Sequence, residues 1–183
     1  MSIRHAILGF LSWKPFTGYE LKKLFADSLS FHWTGNNNQI YGSLIQLHRD
    51  GLVSQEVQPQ EKLPARKLYA ITPAGREELR AWLLAEPELP QLRNSFHIQL
   101  AWAEALSDRE LDSLLEAYER VLEAQTLMCR ERARRGLAAP GRSPREILVW
   151  RRIEEKRVGD YEDELDWLRS LREDLKALSP EPS

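Results

Sequence analysis

The chain is 183 residues long, with 42% hydrophobic and 30% charged side chains, enough apolar material for one medium domain or for a small domain with an extended arm. Its net charge of −2 neither favours nor disfavours a polyanionic partner, and no stretch approaches the roughly 20 apolar residues of a membrane span. A single cysteine, Cys129, excludes an internal disulfide framework and fits a reducing cytosol; with an opening too polar for a signal peptide, a cytoplasmic location is expected.

The first helix is expected from Ile3 to Ser12, with Ile3, Ile7 and Leu11 on one face, and Pro15 closes it. Thr17-Gly18-Tyr19-Glu20 has a hydroxyl three residues before a carboxylate, the pattern of a capping box. It starts a second helix that runs to about Ser28 and buries Leu21, Leu24 and Phe25. The polar turn Gly35-Asn36-Asn37-Asn38 leads to a third helix with Ile40, Leu44 and Leu47 at helical spacing. Gly51 ends it, because glycine tolerates the left-handed cap conformation. Residues 52–58 and 67–71 are β-rich and flank a loop with two prolines, which predicts a hairpin. Thr72-Pro73 starts a fourth helix to about Ala85, packing through Leu79, Trp82 and Leu83.

Residues 86–94 form a proline-containing linker, and helices are expected over about 95–106, 108–136 and 144–178. Ser107-Asp108-Arg109-Glu110 and Ser143-Pro144-Arg145-Glu146 repeat the capping pattern. The last helix would be about 50 Å long at 1.5 Å per residue, too long to be contained in so small a domain. Val158, Tyr161, Leu165, Leu168 and Leu175 lie at three- and four-residue steps, a coiled-coil-like seam interrupted by Arg172. Self-association along this arm is the expectation. The predicted class is mainly α, with an N-terminal domain over 1–85, the linker at 86–94 and a helical dimerisation and effector domain over 95–183.

Three helices, two strands and a fourth helix are the element order of a winged helix-turn-helix, in which the third helix enters the major groove. Asn38, Gln39, Gly42, Ser43 and Gln46 turn away from its buried face and can exchange hydrogen bonds with base edges. Gly42 costs about 1 kcal/mol relative to alanine in mid-helix; it is either a position of close backbone approach to DNA or a tolerated surface residue. Tyr41 is either a phosphate donor or a rim residue. Lys22 and Lys23 on the second helix, and Lys62, Arg66 and Lys67 on the hairpin, can neutralise phosphates, or each is a solvated cation. Charge supports the first reading: residues 1–85 carry net +3 and residues 86–183 net −5.

The stretches Ile7-Leu8-Gly9-Phe10-Leu11, Gly18-Tyr19-Glu20-Leu21, residues 39–47 with Asp50-Gly51-Leu52-Val53, and residues 67–75 resemble PadR-type regulators. The resemblance covers residues 3–85 and implies a dimeric winged-helix repressor. It also implies that Tyr41, with Tyr19 and Lys22 of the second helix and the wing cations, meets the DNA backbone. Gly42 departs from the family, where proline or another side chain is commoner. Double-stranded DNA with two half-sites and a second copy of the chain are the implied partners.

Some relatives release DNA on binding planar aromatic compounds. Phe96, Trp102 and Trp150 could stack on such an effector, or they are packing residues. The four histidines are scattered and none pairs with another His or Cys at metal-ligand spacing. No glycine-rich phosphate loop or nucleophile elbow appears, and the carboxylate pairs Glu154-Glu155 and Asp163-Glu164 do not face each other on a helix. Neither an enzyme nor a cofactor or metal site is expected, and Cys129 is expected to be a small buried or interfacial residue. The competing reading is a winged-helix protein-interaction module without operator binding.

Overall fold

The computed structural model describes residues 3–27, 37–59, 66–89, 94–135 and 140–178. In chain order these form α1 (Ile3–Leu11), β1 (Phe16–Thr17), α2 (Gly18–Asp27), α3 (Asn37–Arg49), β2 (Val53–Gln58), β3 (Arg66–Ile71), α4 (Pro73–Leu84), α5 (Ser95–Ala101), a 3-10 turn (Ala103–Ala105), α6 (Asp108–Arg134) and α7 (Pro144–Leu178). The chain divides into two units, Met1–Glu88 and Leu89–Ser183.

In the first unit, Ile7, Leu8, Phe10 and Leu11 of α1 meet Leu21 and Phe25 of α2 and Ile40, Leu44 and Leu47 of α3 in one core, which Val53 and Tyr69 of the sheet complete. Each helix turns its apolar stripe inward, so helix formation and burial support each other. The capping box of α2 forms: Glu20 N–H donates to Thr17 Oγ1 at 3.2 Å, and Thr17 N–H donates to Glu20 Oε2 at 2.7 Å. α3 ends at Gly51, φ 72°, where Leu52 N–H reaches Leu47 O at 2.9 Å and Gly51 N–H reaches His48 O at 3.1 Å. This pair of bonds is a Schellman motif, and it satisfies carbonyls that the helix end would leave orphaned. Thr72 caps α4 by accepting from Gly75 N–H at 3.1 Å, and its hydroxyl donates to Gly51 O at 2.8 Å, which ties α4 to the end of α3.

The sheet has three strands in the order β1-β3-β2, both pairings antiparallel. The hairpin is the expected one, with Gln58 opposite Arg66 and Val53 opposite Ile71. β1 was not anticipated: its two residues pair with Tyr69 and Leu68, and a two-residue strand is too short to show alternation. Asn37 and Asn38, expected in a turn, already belong to α3. Trp82 and Leu83 are 46% and 66% exposed, so they are not core residues; Trp82 instead stacks on His5, centroids 4.7 Å apart.

In the second unit, the expected helix over 95–106 breaks at Trp102 into α5 and the 3-10 turn. Asn94 caps α5 by accepting from Phe96 N–H at 3.0 Å. The capping box of α6 forms through Ser107 and Glu110. At α7 the box is half replaced: Ser143 Oγ accepts from Glu146 N–H at 3.1 Å, but the Glu146 carboxylate turns to Arg142 N–H at 2.8 Å. α6 and α7 run antiparallel, as the order of their ion pairs shows: Arg172 with Asp112 (2.8 Å) and Glu119 (2.7 Å), Arg169 with Glu119 (3.0 Å) and Glu123 (3.2 Å), and Arg130 with Glu162.

This pairing covers within the chain part of the stripe expected to meet a second copy. Leu165 and Leu168 are buried with Leu115, Leu122 and Phe96 of the same chain, and Tyr161 and Leu175 pack against that cluster. Val158 is half-buried and lines a hollow with Leu127 and Arg130 of α6. The stripe of α7 from Tyr161 to Leu175 is therefore covered within the chain, and Arg172 joins the two helices through Asp112 and Glu119 of α6. Nearer the start of α7, Ile147, Leu148 and Val149 are exposed.

Candidate nucleic-acid interface

The polar side of α3 is open. Asn38, Gln39, Gly42 and Gln46 are exposed, and Ser43 is half-buried. The i, i+4, i+7 positions Ile40, Leu44 and Leu47 are at most 2% exposed, and this inward anchoring turns the intervening side chains outward. Gln46 donates to Asp50 Oδ1 at 2.7 Å, and Asp50 Oδ2 accepts from Arg4 at 2.7 Å, so one end of this face is held by α1. The hydrogen bond from Arg4, then that from Gln46, holds the Asp50 carboxyl below its ordinary range. A cation there is already paired, which leaves the middle of the face uncharged.

Beside this face an open cleft of about 710 Å³ lies between α2, α3 and the base of the hairpin, lined among others by Tyr19, Glu20, Tyr41, Ile45, Arg66 and Lys67. Tyr19 is 70% exposed and Tyr41 43%; Lys22, Lys23, Arg66 and Lys67 are exposed. The structure thus brings Tyr19, Tyr41, Arg66 and Lys67 to one concave surface. Lys62 lies outside the described residues.

Sequence reasoning missed three features of this surface. Ile45, 52% exposed, is an apolar contributor on the open side of α3. Gly18 begins α2 directly beneath the Tyr41 ring: a Cβ there would lie 2.5 Å from Tyr41 Cε1, so only glycine lets the ring settle over the helix start. Arg66 Nη2 donates to Glu20 Oε1 at 2.8 Å, which places a carboxylate among the cations. Partial burial pushes the Glu20 carboxyl up, but hydrogen bonds from the Thr17 backbone and hydroxyl, with Arg66, outweigh it and hold the group below the ordinary range. The capping motif revealed the Thr17 half of this arrangement; nothing local could reveal a partner 46 residues away.

The aromatic residues considered for an effector are not brought together. Phe96 is 4% exposed and stacks on Tyr118, centroids 3.7 Å apart. Trp102 is 77% exposed. Trp150 is half-buried on α7, 15 residues before Leu165 of the Phe96 cluster, or about 22 Å along the helix. Phe96 and Trp150 therefore cannot line one pocket within a chain. Tyr118 donates to Glu164 Oε1 at 2.9 Å, and Asn94 donates to both at 3.2 Å, so Phe96 packs beside a polar cluster that joins α5 to α6 and α7. Burial raises the Cys129 thiol above its ordinary range. Among the described residues there is no group of three His, Cys, Asp or Glu side chains placed to hold a metal ion, and no helix is long and apolar enough to cross a membrane.

Residues 7–81 match the family model described as the transcriptional regulator PadR-like family. The negative transcriptional regulator PadR of Bacillus subtilis is 27% identical over 115 residues, 62% of this chain and 63% of that protein. A Mycobacterium tuberculosis protein described as "Probable transcriptional regulator Rv1176c" is 38% identical over 90 residues, 49% of this chain and 47% of that protein. Over residues 7–81 the chain is similar to the PadR-like family. Its match spans less than two thirds of the length of either relative. Among solved structures, Bacillus subtilis PadR in complex with operator DNA superposes with a TM-score of 0.79 at 21% identity, over 92% of this chain and 95% of that one, a likeness of fold. The same regulator in complex with p-coumaric acid gives 0.72 at 24% identity, over 92% and 95%. A PadR-like regulator from Bacillus cereus gives 0.77 at 25% identity, over 94% of each chain. The PadR-like region, residues 7–81, contains every part of the open α3 face and of the cleft beside it.

Proposed function

We propose that the chain is a sequence-specific DNA-binding transcriptional regulator, a homodimeric repressor relieved by a small-molecule effector. One observation carries the reading: a helix anchored inward by Ile40, Leu44 and Leu47 offers Asn38, Gln39 and Gly42 outward, beside a cleft edged by tyrosines and cations. An exposed helix with amide and hydroxyl groups suits the donor and acceptor pattern of the major groove, with Ser43 and Gln46 at its edges. Tyr19, Lys22, Tyr41, Lys62, Arg66 and Lys67 are assigned to the phosphate backbone, which positions the reading helix.

The operator complex of the Bacillus subtilis relative supports DNA as partner, and its p-coumaric acid complex supports an aromatic effector. Two copies of α3 would lie about one DNA turn, roughly 34 Å, apart. Since the α7 stripe is used within the chain, the dimer contact is assigned to the apolar side chains that α6 and α7 leave exposed, among them Leu127, Met128, Leu148 and Ile153. A cytoplasmic location and the absence of enzymatic activity belong to the same reading.

The test is selection of bound duplexes from a random pool, followed by titration of variants. Two enriched half-sites one turn apart are the expected outcome. Gln39→Ala should then change sequence preference, whereas Lys67→Ala should weaken all sequences alike and reduce the salt slope by about 1. A protein with no salt-dependent affinity for duplex DNA, yet a stable protein partner, would overturn the proposal in favour of an interaction module.

A further inference from the structure

We infer that Glu20 is a positioning residue for DNA binding, fixing Arg66 so that the start of α2 and the base of the wing meet the phosphate backbone as one unit; the inference rests on the operator-binding reading above. Its carboxylate divides its two oxygens. Oε2 accepts from Thr17 N–H and Thr17 Oγ1, both at 2.7 Å, and Oε1 accepts from Arg66 Nη2 at 2.8 Å. Thr17 in turn pairs with Leu68 in the sheet, two residues from Arg66. A closed circuit results: α2 to β1, β1 to β3, β3 to the Arg66 side chain, and that side chain back to α2.

Two consequences follow from this circuit. A free arginine loses rotamer freedom when it meets a phosphate, and Arg66 has already lost much of it in the uncomplexed chain, so binding is pre-organised. The guanidinium also carries five N–H donors in a planar fork; Nη2 engages Glu20, and the remaining donors can serve a phosphate in the cleft. Among the described residues no carboxylate tethers Lys22, Lys23 or Lys67 in this way.

Simple charge counting predicts the opposite of positioning. A carboxylate in a phosphate-binding cleft repels DNA, so its removal would tighten binding. Under positioning, its removal loosens binding. The two accounts differ in sign, and that makes the inference testable without knowledge of the operator.

The experiment is fluorescence anisotropy of the full chain on a mixed-sequence 30-base-pair duplex at several salt concentrations, with wild type, Glu20→Gln, Arg66→Ala and the double variant. Glutamine keeps an oxygen for the Thr17 cap but removes the anion. The expected result is that Glu20→Gln and Arg66→Ala each weaken binding by about three- to tenfold, and that the double variant is no weaker than Arg66→Ala alone, the signature of coupled residues. Tighter binding by Glu20→Gln, or independent effects that multiply in the double variant, would overturn the inference while leaving DNA binding intact. Should Glu20→Gln melt early, Arg66→Lys takes its place: it keeps the charge and the salt slope but loses the planar fork, and wild-type affinity in that variant would equally overturn the inference. A wild-type chain without salt-dependent duplex affinity instead removes the operator reading itself, and the inference with it.

Discussion

Replacing Gly18 by alanine separates the binding surface from the fold. The new Cβ would lie 2.5 Å from Tyr41 Cε1 and 3.2 Å from Cδ1 and Cζ, where carbon atoms at rest stand about 3.5–4.0 Å apart. The ring must therefore retreat by about 1 Å or more. It has somewhere to go, since Tyr41 is 43% exposed, and alanine is a better helix former than glycine by about 0.5–1 kcal/mol. Stability should change by less than about 1 kcal/mol. The hydroxyl, however, leaves the position from which it would donate to a phosphate, and a hydrogen bond to a charged group contributes about 1.5–3 kcal/mol. Binding should weaken by about ten- to a hundredfold, similar to Tyr41→Phe, and the two changes together should add little. Denaturant unfolding paired with anisotropy titration measures both quantities. Wild-type affinity in a well-folded Gly18→Ala chain would refute the reasoning, as would an undiminished effect of Tyr41→Phe in the Gly18→Ala background.

Three further outcomes are expected. Among the described residues, and apart from its two neighbours and its own helix backbone, no atom lies within 4 Å of a Cβ built at Gly42, so Gly42→Ala should stabilise the chain by up to about 1 kcal/mol yet weaken DNA binding where the α3 backbone approaches base edges; unchanged affinity would make Gly42 a tolerated surface residue. The Glu119 carboxyl is held below its ordinary range by the Arg169 hydrogen bond, against partial burial and with help from Arg172. A carboxyl whose folded pKa lies below its unfolded one stabilises the fold above the unfolded value, and loses that contribution as pH falls through the folded value; Glu119→Gln should thus lower the melting temperature at pH 7 and make it less sensitive to acidification below about pH 4.5 than wild type. Ile153→Glu, at a position 44% exposed on α7, should leave the helices folded by circular dichroism but shift sedimentation from dimer to monomer, whereas an unchanged dimer would move the contact elsewhere.

What could be read from the sequence was whatever a single helical turn or strand encodes. The capping patterns at Thr17, Thr72 and Ser107 act over three residues, and all three form. The stop at Gly51 needs only the left-handed backbone. The outward face of α3 follows from the spacing of Ile40, Leu44 and Leu47, because helical geometry alone decides what opposes a buried stripe. Tertiary structure decided which separated groups share a place. Glu20 meets Arg66 across 46 residues, Gly18 lies beneath Tyr41, and the two residues of β1 become a strand only because β3 supplies their partners. The α7 stripe shows the limit most plainly: its spacing says that a helix face must be covered, but carries no mark of whether a second copy or α6 covers it. Here it is α6 that packs against Leu165 and Leu168, since burial rewards any complementary apolar surface without regard to the chain that brings it.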